Sequence, residues 1–80
     1  MADTENLEEL RKRIDEIDRQ IIMLLDARME ACRKIGEIKK KTGVPIIDTE
    51  RTLAILERAG RYRDVYSKII DKCVEEQENT

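Results

Sequence analysis

The sequence predicts an all-α fold, one long helix followed by two short ones, on three observations. Apolar residues recur at three- and four-residue intervals from Leu7 to Ile38, and, Gly36 apart, Gly and Pro fall only at Gly43 to Pro45 and at Gly60. The composition is that of long helices, with 42% charged residues, three Gly and one Pro in 80 residues. That length predicts a single domain, 1–80, and argues against a multidomain enzyme. A chain of this size buries roughly 60% of its unfolded surface. With 40% hydrophobic residues, no Phe, no Trp and two Tyr, a self-contained core is marginal, and self-association is the first candidate for what completes it.

The first helix is read from Leu7, Leu10, Ile14, Ile17, Ile21 and Leu24, then Ala31, Ile35 and Ile38, which form one stripe along a helix. Nothing interrupts it before Thr42-Gly43-Val44-Pro45, where Gly43 suits a left-handed helix end and Pro45 forbids continuation. The predicted helix spans about residues 6–42 and, at ~1.5 Å per residue, is ~50 Å long, about twice the diameter of a compact domain of this size. One chain cannot cover that stripe; a second copy could. After the extended Val44 to Ile47, Asp48 reads as an N-cap, with Thr49 and Glu50 in the first turn and Leu53, Ile55 and Leu56 as the apolar set. This second helix ends near Ala59, and Gly60 offers a break. A third helix is predicted from about Tyr62 to Gln77, burying Val65, Tyr66, Ile69, Ile70 and Val74, with the polar run Glu75 to Thr80 expected to fray.

Sixteen Lys and Arg against 18 Asp and Glu leave a net charge of −2 with the signs interspersed, which argues against nucleic acid as partner. No stretch approaches the ~18 continuous apolar residues of a membrane span. The N-terminus, MADTENLEEL, lacks the basic and apolar regions of a secretory signal, so a cytoplasmic location is expected. Cys32 and Cys73 lie 41 positions apart with no histidine in the chain to complete a metal site, and no metal is expected. The absence of histidine also excludes Ser-His-Asp and Cys-His nucleophilic machinery. Catalysis here must rest on Arg, Lys, carboxylates, amides and hydroxyls.

Several residues depart from a plain helical pattern. In the heptad frame that starts at Leu7, Arg28 falls where Ile14, Ile21 and Ile35 place aliphatic side chains. A buried, unpaired charge costs several kcal/mol, so Arg28 meets a carboxylate, a cavity or water, or else snorkels at the stripe's edge. Lys39, 11 residues on, returns to within about 20° of the same face ~16 Å along the axis. It also reads as part of an ordinary basic helix end, Lys39-Lys40-Lys41. Arg11 lies about 100° around the helix from Arg28 and ~25 Å away, too far to serve the same pocket within one chain. Between two crossed copies, Arg11 of one could approach Arg28 of the other; taken alone, Arg11 is a solvated charge. Cys73 and Gln77, four apart, share one face of the third helix; taken alone they read as a buried core cysteine below a surface glutamine. Asp48 and Arg51 stand at the start of the second helix, where free backbone N–H groups can meet an oxygen-bearing ligand, although a capping role alone explains Asp48.

In chain order these residues carry a resemblance. Leu10-Arg11-Lys12-Arg13-Ile14-Asp15-Glu16-Ile17-Asp18, Leu24-Leu25-Asp26-Ala27-Arg28, Ile35-Gly36-Glu37-Ile38-Lys39, Val44-Pro45-Ile46-Ile47-Asp48 and Glu50-Arg51 resemble the all-helical chorismate mutases. The likeness covers residues 7–58 and resumes at Ile69-Ile70-Asp71-Lys72-Cys73-Val74-Glu75-Glu76-Gln77. It implies an intertwined helical-bundle homodimer whose long first helices span both subunits. The reaction implied is the conversion of chorismate to prephenate, in aromatic amino-acid biosynthesis, without a cofactor. This one-substrate Claisen rearrangement needs no nucleophile and no acid–base histidine. What it requires is a dicarboxylate held in a compact, pseudo-diaxial conformer and stabilisation of charge on the ether oxygen.

By the same resemblance, Arg28 grips one substrate carboxylate and Arg11 of the second subunit the other. Lys39 and Gln77 donate to the ether oxygen. Asp48 helps to hold the ring hydroxyl, Arg51 lies near the carboxylate region, and Cys73 lines the pocket where a serine is often found. Because Gln77 is neutral at every pH, no need for acidic conditions is expected. Two departures stand out. Thr52 occupies the place of a glutamate that binds the ring hydroxyl and orients the lysine; it can hydrogen-bond but brings no charge, so poorer positioning is expected. The passage from Arg58 to Ile69 is also about three helical turns short. The alternatives are an isochorismate-pyruvate lyase, which shares the fold and a similar cationic pocket, and a weakly active or non-catalytic mutase-like regulatory or partner module.

Overall fold

A computed structural model describes residues 6–79, and these are helical throughout apart from the connections. The expectations for the extreme N-terminal residues and for Thr80 lie outside the described residues. Helix α1 spans Leu7–Thr42. It starts where the Asn6 side chain accepts a hydrogen bond from the Glu9 N–H at 2.9 Å, with Glu8 and Glu9 in the first turn and Lys39 to Lys41 in the last, each sign complementing the helix dipole. It stops at Gly43, whose φ of 77° is left-handed and whose N–H donates to the Lys39 carbonyl at 2.8 Å. The space around the Gly43 Cα is open, so Gly43→Ala meets no clash. Its cost is conformational, about 1 kcal/mol, and urea denaturation of the variant should show that loss.

After Pro45, helix α2 spans Thr49–Ala59, capped by the Asp48 carboxylate accepting from the Arg51 N–H at 3.0 Å. Gly60, at φ 58°, ends it and opens a 3-10 turn, Gly60–Tyr62, so that α3 runs Arg63–Glu78 rather than from Tyr62. Helix α3 lies against both α1 and α2. The polar tail does not fray as expected: α3 stays helical through Glu78 and Gln77 is buried. The reason is attachment to α1, since Cys73 is disulfide-bonded to Cys32 and Glu76 accepts from Arg33 at 3.2 Å. The side-chain hydrogen bonds that Arg33 donates to Glu30 and Glu76 also hold its guanidinium above its ordinary pKa.

The chain is elongated, 57 × 23 × 14 Å, with a radius of gyration of 17.0 Å against about 12 Å for a compact chain of this length. The apolar residues buried in it are Cys32 and Ile55. Along the N-terminal half of α1, Ile14, Ile17, Ile21 and Leu24 stand 47–69% exposed. On α2 and α3, Leu53, Val65 and Tyr66 are likewise exposed rather than buried as expected, because two short neighbours cover only part of each helix. The site-bearing half of the molecule is therefore the end where α1, α2 and α3 converge.

Candidate active site

At that end a cavity of about 490 Å³ opens between the three helices, a size usual for small-molecule sites. Helix α1 brings Arg28 and Lys39 to it, α2 brings Asp48, Arg51 and Thr52, and α3 brings Cys73 and Gln77. Seven of the eight residues singled out in the sequence thus border one space. Arg11 does not: it is exposed on α1, 17 residues and therefore ~26 Å from Arg28 along the axis. The remaining wall is aliphatic, from Ile35, Ile46, Ile47, Ile55, Ile70 and Val74.

Three cations and one carboxylate meet here, and Asp48 spends its carboxylate on the α2 cap. Among the described residues, Arg28, Lys39 and Arg51 form no ion pair. Positive charge left uncompensated beside an apolar wall favours a ligand with more than one anionic group. Two of the cations are held by neighbouring groups. Half-buried Arg28 donates from Nη1 to Cys32 Sγ at 3.7 Å, one helical turn on. Lys39 Nζ donates to the Ile46 carbonyl at 2.8 Å, across the turn that Gly43 and Pro45 create. The lysine therefore has a fixed acceptor although Thr52 offers it no charge.

Gln77, which taken alone reads as a surface residue, is 8% exposed, and its Nε2 lies 3.3 Å from Cys73 Sγ. Cys73 lines the cavity as expected but carries no thiol, being joined to Cys32 with a Cα–Cα distance of 5.4 Å. Sequence reasoning missed Cys32, the Ile46 carbonyl and the disulfide. Cys32 follows Arg28 by four residues, a spacing that puts both on one helix face, but periodicity does not say what that face meets. The side of α1 turned to α3 carries Arg28, buried Cys32 and buried Gly36, whereas Ile35 and Ile38 of the apolar stripe stay 43% and 61% exposed. Among the described residues no cluster of cysteine and carboxylate side chains is placed to hold a metal ion.

Fold and site together define an all-α protein with a cation-lined pocket between its helices. The chorismate mutase type II family matches residues 10–78, and the chain belongs to that family. It is 44% identical over 66 residues to the bifunctional chorismate mutase/prephenate dehydratase of Aquifex aeolicus, covering 81% of this chain and 18% of that one. To the chorismate mutase of Methanocaldococcus jannaschii it is 44% identical over 54 residues, covering 68% of this chain and 54% of that one. The chain thus spans about a fifth to a half of the length of these curated relatives. Among solved structures, a conserved hypothetical protein from Pyrococcus furiosus superposes with a TM-score of 0.88 at 45% identity, over 89% of this chain and 93% of that one.

Proposed function

We propose that the protein is a chorismate mutase, an isomerase that converts chorismate to prephenate in aromatic amino-acid biosynthesis. The observation that carries this reading is the convergence of Arg28, Lys39 and Arg51, without ion-pair partners among the described residues, on one apolar-walled cavity. Family membership supports it, and the mutase names of the relatives favour it over the lyase.

In the mechanism, Arg28 takes one substrate carboxylate through its planar fork and thereby selects the compact conformer in which the two reacting carbons meet. Asp48 at the head of α2 and the hydroxyl of Thr52 hold the ring hydroxyl, with Arg51 near the carboxylate region. As the C–O bond breaks and the C–C bond forms, negative charge grows on the ether oxygen. Lys39 Nζ and Gln77 Nε2 donate to it, and in a pocket walled by isoleucines a preset donor is worth roughly 3–4 kcal/mol of barrier. No proton is transferred and no cofactor is needed.

The working unit in this reading is an intertwined homodimer of three-helix chains, each a single mutase-like domain. Two features support it: the uncovered apolar stripe on α1, and the distance of Arg11 from its own pocket. The second copy covers the stripe and supplies Arg11 as the second carboxylate clamp. Among the described residues no helix is long and apolar enough to cross a membrane, and we place the protein in the cytoplasm.

The decisive measurement is the decay of chorismate absorbance with the protein, paired with a sedimentation mass. Rearrangement to prephenate by a species of twice the chain mass is expected. No turnover above background at millimolar chorismate would sink the mutase reading and leave the isochorismate-pyruvate lyase and the non-catalytic module.

A further inference from the structure

The Cys32–Cys73 bond is unused by the mechanism, yet it occupies a distinctive place. It joins α1 to α3 at the cavity that Arg28 and Gln77 both line. Arg28 lies one turn before Cys32 and Gln77 one turn after Cys73, and each donates a hydrogen bond to the sulfur beside it, at 3.7 Å and 3.3 Å. The polar link Arg33–Glu76 that also ties α1 to α3 is largely solvent-exposed, and such pairs contribute little. Apolar burial is sparse here too, Cys32 itself being one of the buried residues. The spacing of Arg28 and Gln77 therefore depends on a covalent bond rather than on a packed core.

We propose that the Cys32–Cys73 disulfide is the positioning clamp of the pocket, and that opening it with a dithiol lowers catalysis. The proposal rests on the mutase reading. Cysteine pairs of cytoplasmic proteins are exposed to thiol–disulfide exchange, and those that form there are commonly redox-responsive. The chemistry follows from the geometry. Cys32 is 3% exposed, whereas half-buried Cys73 borders the cavity, so an entering thiolate attacks Cys73 Sγ. The Cys32–Cys73 bond breaks as a mixed disulfide forms between Cys73 and the reductant. Cys32 leaves as a thiolate, stabilised by the Arg28 guanidinium beside it. The second thiol of the reductant then attacks its own sulfur in the mixed disulfide, releasing Cys73 and closing the reductant into a cyclic disulfide. Two electrons pass to the cysteine pair, and the two protons of the dithiol end on Cys32 and Cys73. With the clamp open, the last turns of α3 are no longer covalently tied to α1, and Gln77 loses its fixed place in the cavity lining.

The test compares air-oxidised protein, protein reduced with dithiothreitol, and Cys32→Ser/Cys73→Ser. The oxidised protein should yield no alkylatable thiol when denatured without reductant. Reduction should lower kcat/KM for chorismate by about 10-fold or more, chiefly in kcat, while far-ultraviolet circular dichroism stays helical. Reoxidation with glutathione disulfide should restore it, and the double variant should match the reduced protein and ignore dithiothreitol. Amide exchange of residues 70–78 should speed up on reduction, and this readout decides the clamp even if the oxidised protein proves unable to rearrange chorismate, which would refute the mutase reading instead. Should the double variant fail to fold, alkylated reduced wild-type protein replaces it. Two free thiols in the air-oxidised protein, or full reduction with kcat/KM and exchange unchanged, would overturn the proposal.

Discussion

Lys39→Ala should lower kcat for chorismate by about 100-fold or more with little change in KM, as expected for a donor that acts mainly on charge developing in the transition state. The structure makes this residue unusually dependent on position. Its Nζ is held by the Ile46 carbonyl at 2.8 Å, on the segment that Gly43 and Pro45 swing back over the end of α1. Lys39→Arg should rescue little, because a planar fork cannot keep both that acceptor and the place of a compact ammonium. Steady-state kinetics on chorismate reads the result directly. A loss below about 10-fold would show that Lys39 is a basic helix end and not the electrostatic catalyst.

The second large effect concerns the shared site. Arg28→Ala and Arg11→Ala should each reduce kcat/KM by about 100-fold, since each removes one clamp on a dicarboxylate. Mixed after brief denaturation and refolding, the two inactive proteins should recover about a quarter of wild-type activity. Half of the random dimers then carry one intact site out of two, built from Arg28 of one chain and Arg11 of the other. The recovery depends on α1 being too long to serve its own pocket with Arg11, ~26 Å from Arg28. Absence of recovery from two folded dimers would remove Arg11 from the site.

Thr52 was the residue that cast most doubt on function from the sequence, since it leaves Lys39 without an orienting carboxylate. The structure answers part of that doubt with a backbone carbonyl, a group that side-chain comparison does not reveal. Gln77 shows the opposite limit. Three residues from the chain's end, it read as exposed, and its burial follows from a bond at Cys73 whose partner lies 41 residues away.

The approximate helix limits, the cap at Asp48, the stop at Gly43 and the chain order of Arg28, Lys39, Asp48, Arg51 and Gln77 were legible in the sequence. They depend on groups within about one turn of each other, where spacing and backbone preference decide. Which face of α1 meets α3, the joining of Cys32 to Cys73, the hold of Ile46 on Lys39 and the burial of Gln77 belong to the tertiary structure alone. Each requires segments distant in the chain to be brought together, and helical periodicity says that a face exists without saying what it will meet.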